Sequence, residues 1–189
     1  MRFIHMADIH LGARPDLGRP WGAARAAEIW ESFASVLERA RNEAVDLVLI
    51  AGDLFHGQPL VRDLKEVDYL FSTLPGQVVL IAGNHDYMKQ NGTYAHYVWS
   101  DNVHFLGDSD MDRVILDSIG TEVYGFSYHS RELAERRYDN LTVEESPYYK
   151  ILLAHGGDRE HGPFSRELVK KAGFDYIAWG HIHKPRLDM

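Results

Sequence analysis

The feature that most constrains this chain is a set of apolar runs, each closed by a polar side chain able to hold a metal. "LVLIAGD" ends at Asp53, and "VVLIAGNHD" delivers Asn84, His85 and Asp86. "RFIHMADIH" leads to Asp8 and His10, "YYKILLAHGG" to His155, and "FDYIAWGHIHK" to His181 and His183. Short, nearly unbroken apolar runs suit strands buried on both faces, as in a parallel or mixed sheet. Positions 23–42 carry Ile29, Trp30, Phe33, Val36, Leu37 and Ala40 at helical spacing. Positions 61–75 do the same with Leu64, Val67, Leu70 and Phe71, and Pro75-Gly76 closes them. "SRELVKKAG" predicts a short helix stopped at Gly173. "NVHFLG", "RVILDSI" and "TEVYGFSY" predict shorter strands in hairpin geometry. The pattern is α/β, one domain over residues 1–189, with helices covering both faces.

Strand ends are where such sheets bind ligands, because loops converge at their carboxyl edge. Asp8 and His10 are two apart, as are His181 and His183, and in extended chain that spacing turns both side chains to one side. Gly52, Gly83, Gly156 and Gly180 stand beside the candidates and would allow sharp turns or close approach. If no cation were present, so many polar groups at one rim would leave several unpaired.

The donor types select among chemistries. No cysteine is present, which excludes disulfides, thiolate nucleophiles and Cys-ligated zinc or iron–sulfur centres. Mixed Asp, Asn and His ligands suit Mn²⁺, Fe²⁺ or Zn²⁺ better than an all-oxygen Ca²⁺ or Mg²⁺ cage. The donors are too many for one ion, and a carboxylate such as Asp53 can bridge two ions roughly 4 Å apart, as in two-metal hydrolases. Such a pair polarises a phosphoryl group and turns a bridging water into the nucleophile. No side-chain nucleophile is then needed, in keeping with the absence of a G-x-S-x-G motif. The formal charge of −8 argues against a surface built to track a nucleic-acid backbone. Two divalent ions would offset half of it. "RELAERR" at 131–137 is the densest basic cluster and reads as solvated surface. The N-terminal run is neither a signal peptide nor a membrane span, and no apolar run reaches the ~18 residues of a span. The expected setting is the cytoplasm, with no membrane partner.

Taken in order, Asp8-x-His10, Gly52-Asp53, "GNHD" at 83–86, His155-Gly156 and "GHIH" at 180–183 resemble the signature of the calcineurin-like metallophosphoesterases. The resemblance implies a two-sheet sandwich flanked by helices and two divalent ions, with Mn²⁺ first in expectation and Fe or Zn as alternatives. It implies one metal on Asp8, His10, Asp53 and His183, and the other on Asp53, Asn84, His155 and His181. His85 would contact the substrate phosphate and assist the leaving group, with Asp86 orienting it. "MRFIHMADIHLG", "LVLIAGDLFH" and "YIAWGHIHKP" are similar to the SbcD-like and Mre-like DNA-repair exonuclease subunits, and "GDLFH" departs from the "GD-x-x-DRG" of Ser/Thr protein phosphatases. That branch implies phosphodiester hydrolysis in DNA, a supporting role for His56 near the phosphate, dimerisation through the early helices and a coiled-coil ATPase partner. It also implies closing strands, a cap and a partner-docking segment after the last motif. A 189-residue chain would lack them, leaving the second sheet incomplete or closed by another chain. A phosphodiesterase or phosphatase on nucleotide-sized substrates is the alternative, favoured by the acidic charge. His96, His104, His129 and His161 read as surface or loop residues, and Trp21, Trp30, Tyr94, Tyr97 and Trp99 as packing.

Overall fold

The computed structural model describes residues 1–183. Lys184 and Pro185, the end of the "YIAWGHIHKP" run, lie outside the described residues. The first sheet is formed by β1 (Phe3–Met6), β2 (Leu47–Ala51), β3 (Gln77–Ile81) and β4 (Val103–Phe105), all parallel and in that order. The second holds β5 (Asp112–Leu116), β6 (Thr121–Gly125), β7 (Tyr149–His155) and β8 (Tyr176–Gly180). Here β5 and β6 form an antiparallel hairpin, while β6, β7 and β8 run parallel. The helices are α1 (Gly22–Asn42), α2 (Val61–Ser72), α3 (Thr93–His96) and α4 (Arg166–Lys170).

The two-residue period of the strands sorts their side chains into layers. In β2, Val48 and Ile50 face α1 and α2, where Phe33, Leu37, Leu64, Val67 and Phe71 meet them. Leu47, Leu49 and Ala51 face the other way, onto Ile151, Leu153 and Ala178 of the second sheet. Leu152 and Ala154 of β7 face outward and are covered by Tyr138, Val169 and their neighbours. β2, β3 and most of β7 are therefore buried on two sides, which is why their sequences show continuous rather than alternating apolar runs. This is the expected sandwich flanked by helices.

One expectation is corrected. "NVHFLG" is not half of a hairpin: β4 adds in parallel to β3, Val78 opposite Val103. The chain returns across α3 and an aromatic cluster of Tyr94, Tyr97, Trp99 and Phe105, so the run lands at the same end as its neighbours. These rings are packing. So is Trp30, which meets Phe33 edge-on.

Candidate metal centre

Parallel order sends the carboxyl ends of β1, β2, β3, β7 and β8 to one rim, and the residues following them converge there. The turn is sharp enough to be unusual. Six described non-glycine residues have φ in the left-handed region, and four are Asp8 (54°), His10 (53°), Asp53 (52°) and His181 (91°). Such residues cost about 1–3 kcal/mol each and persist only where surroundings fix them. Backbone bonds do so here: Asp8 N–H donates to the Gly52 carbonyl at 3.2 Å and His10 N–H to that of Asp53 at 3.0 Å. His181 N–H donates to both oxygens of Asp8 at 3.0 and 2.8 Å. Two glycines permit the crowding. Gly52 has φ +83°, and a Cβ on it would lie 2.4 Å from Nδ1 of His155. A Cβ on Gly180 would lie 2.1 Å from the Ala51 carbonyl oxygen, where the two sheets touch.

The side chains form two adjoining pockets that share Asp53. In the first, Nε2 of His10 is 3.3 Å from Nε2 of His183 and 3.8 Å from Asp53, and His183 is 3.5 Å from Asp8. Nδ1 of His10 is buried without a partner among the described residues. Burial holds the His10 ring's pKa down to about 4 against the upward pull of Asp53, and His85 and His183 lower it further, so it stays neutral. Neutral imidazole is the ligand form.

In the second pocket, Nδ1–H of the fully buried His155 donates to the Ala51 carbonyl at 2.9 Å. Its Nε2 lone pair then faces Asn84 Oδ1 at 3.0 Å and Asp53 Oδ2 at 3.4 Å. His181 donates from Nε2 to Asp158 at 2.7 Å, which turns its Nδ1 lone pair on the same Asn84 oxygen at 3.1 Å. With both rings neutral and in the tautomers these bonds select, four lone-pair donors meet at one spot. Positive charge is what the spot lacks. Burial alone would lower the pKa of His155, but Asp53 raises it on balance, and His155 in turn holds Asp53 low against its own burial. A proton or a cation meets that demand, and a mixed N/O donor set of this kind fits a transition-metal divalent ion.

His85 sits at the mouth, its backbone N–H held by Asp53 Oδ1 at 2.8 Å. His56 stacks on it with ring centroids 5.1 Å apart, and His10 is 4.6 Å from the His85 ring. All ten sequence-derived candidates therefore lie in or beside this cluster. Asp86, however, does not touch the ring it was expected to orient. Its buried carboxylate accepts from the backbone of Phe55 (3.0 Å) and Gly83 (2.8 Å) and from the Tyr94 hydroxyl (3.2 Å). The His85 ring is instead met at Nδ1 by the His56 carbonyl, 3.2 Å away. Asp86 acts on the turn, tying the "GNHD" loop to the "DLF" loop.

Two residues were missed. Asp158, which was not among the candidates, and His161, read above as a loop residue, reach the rim beside His181. The only signal was an Asp three positions after His155 with a His three positions further on. His104 and His129 lie elsewhere, bonded to Gln77 and the Gly107 carbonyl.

A profile of the calcineurin-like phosphoesterases matches residues 1–185. The chain belongs to that family. Among curated relatives, the uncharacterized metallophosphoesterase YhaO of Bacillus subtilis is 32% identical, with 97% of this chain and 49% of that protein aligned. The DNA double-strand break repair protein Mre11 of Methanocaldococcus jannaschii is 31% identical over 100% of this chain and 53% of its own length. Mre11 of Aeropyrum pernix is 43% identical, over 100% and 50%. The chain spans about half the length of these relatives. The family assignment thus falls on a chain whose strand ends gather groups of side chains able to hold metal ions, and Mre11 proteins are similar to it over its full length. No helix among the described residues is long and apolar enough to cross a membrane.

Proposed function

We propose that this domain hydrolyses phosphodiester bonds in DNA as an exonuclease, with Asp8, His10, Asp53 and His183 holding one divalent ion and Asp53, Asn84, His155 and His181 the other. The observation that carries the reading is the convergence of His155 Nε2, His181 Nδ1, Asn84 Oδ1 and Asp53 Oδ2, with contacts of 3.0, 3.1 and 3.4 Å among them. Mn²⁺ is the preferred ion of the reading, ahead of Fe²⁺ or Zn²⁺. When bound, such ions supply Lewis-acid polarisation of the phosphate and a water of lowered pKa.

The chain's own residues supply the rest. Asp53, shared by both pockets, fixes their spacing and through Oδ1 also holds the backbone of His85. The His56 carbonyl takes Nδ1–H of His85, so Nε2 of that ring is left to meet the phosphate and, in the doubly protonated ring, to give its proton to the departing oxygen. The exposed His56 ring borders the same opening and would help to orient the phosphate. DNA as substrate is supported by the similarity to the Mre11 relatives, which are DNA double-strand break repair proteins. A homodimer through α1 and α2 is part of the reading, with Tyr69 of α2 and the neighbouring Leu60 exposed. So are a coiled-coil ATPase partner and a cytoplasmic setting. The charge of −8 favours the other reading, a phosphodiesterase or phosphatase of nucleotide-sized substrates.

Chelator-cleared protein reloaded with Mn²⁺ would be assayed on linear duplex DNA, single-stranded DNA and bis-p-nitrophenyl phosphate, beside His85→Ala and Asp53→Ala. DNA cleavage progressing from ends and lost in both variants is expected. Turnover of the small diester alone would move the reading to nucleotide-sized substrates. No turnover on any substrate with two ions bound would refute it.

A further inference from the structure

Asp158 stands out because an exposed loop carboxylate is held from every side. Its side chain is 46% exposed. Yet Oδ1 accepts from the backbone of Glu160 and His161, both at 2.9 Å, and the His161 ring lies 2.9 and 3.0 Å from its two oxygens. Oδ2 takes Nε2–H of His181 at 2.7 Å. The loop itself is clasped. Gly157 N–H donates to the His161 carbonyl at 2.7 Å, and Gly162 N–H to Leu133 at 2.7 Å. Leu133 N–H reaches back to Glu160 at 2.8 Å, and the Trp179 indole holds the Gly156 carbonyl at 2.7 Å. A Cβ on Gly156 would lie 2.4 Å from the His161 carbonyl oxygen, so the clasp depends on that glycine. The "RELAERR" stretch therefore has a structural task through Leu133.

We propose that Asp158 is a positioning residue, fixing His181 through Nε2 so that its Nδ1 lone pair faces Asn84, with His161 holding the carboxylate in place. The inference rests on the second pocket proposed above. A neutral imidazole carries one proton, and an acceptor at Nε2 decides which nitrogen has it. A carboxylate there also makes the opposite nitrogen a stronger donor. An ordinary surface ion pair would need neither the two backbone donors nor the clasp.

The test uses the full chain as wild type, Asp158→Ala, Asp158→Asn and His161→Ala, with thermal unfolding as a control. Histidine ¹⁵N NMR of chelator-cleared protein should show His181 as the Nε2–H tautomer in the wild type. The tautomer should be lost in Asp158→Ala and retained in Asp158→Asn, whose carbonyl still accepts. Mn²⁺ titration should show two ions per wild-type chain. One site should be weakened by about 10–100-fold in Asp158→Ala and by less in Asp158→Asn. His161→Ala should fall between wild type and Asp158→Ala in both readouts. An unchanged tautomer with unchanged affinities in Asp158→Ala would overturn the inference alone. So would a third wild-type ion lost in Asp158→Ala, since Asp158, His161 and His181 would then be a metal site themselves. A wild type that binds no Mn²⁺ would sink the two-metal reading, and this role with it.

Discussion

Asp86 gives a pH-dependent prediction. Its carboxylate is fully buried and is the acceptor for two backbone amides and the Tyr94 hydroxyl. Burial, reinforced by the Asp53 charge, pushes its pKa from 3.8 to about 6 despite the amide donors. The native state therefore holds the proton more tightly than the unfolded chain, and this contribution to stability is fullest below about pH 4 and is lost as pH rises through 6. The shift corresponds to about 3 kcal/mol. Replacement by Ala leaves three buried donors unmet at about 1–3 kcal/mol each, roughly 3–6 kcal/mol for a site that can relax. At pH 8 relief from holding a buried anion returns about 3 kcal/mol of that. At pH 5, where the native carboxyl is mostly protonated already, the relief falls by about 1.4 kcal/mol. Asp86→Ala should therefore destabilise the chelator-cleared protein more at pH 5 than at pH 8, by about that difference. Urea unfolding of wild type and variant at both pH values measures it. A penalty that is equal at the two, or larger at pH 8, would refute the reasoning.

Three further outcomes are expected. Gly180→Ala would drive a Cβ to 2.1 Å from the Ala51 carbonyl oxygen and 2.9 Å from His155 Nδ1, so thermal unfolding should fall by several degrees and Mn²⁺ binding should weaken. Tyr138→Phe removes the hydroxyl that accepts from His155 N–H at 2.9 Å, and denaturant titration should show a loss of about 1–3 kcal/mol. Mn²⁺ at 100 times its dissociation constant should stabilise the wild type by about 2.7 kcal/mol in a thermal-shift assay, reversed by chelator and absent in Asp53→Ala.

The strands were legible because burial on two faces writes itself into composition: Leu47 to Ala51 is apolar at every position and buried at every position. The rim was legible for a related reason, since each polar residue follows directly on such a run. Pairing was not. β4 has three residues, too few for their pattern to choose a neighbour, and packing of the aromatic cluster from Tyr94 to Phe105 chose it. Roles that depend on where one oxygen points were hidden as well. Asp86 follows His85 in sequence, yet its carboxylate serves the chain thirty-one residues earlier at Phe55. Asp158 reaches His181 across twenty-three residues of loop, helix and strand.

The left-handed turns at Asp8, His10, Asp53 and His181 carry a consequence for how such a rim loads. The backbone at these four residues is already bent, so under the two-ion reading proposed above, capture of an ion would need exchange of water and protons rather than rearrangement of the strands. The work of bending is done during folding, supplied by the apolar layers beneath. Such a centre behaves as a drawn bow: the tension belongs to the limbs, and the arrow is set without further effort. Loosening the layers, even far from the rim, should then be felt first as slackened metal affinity and only later as unfolding.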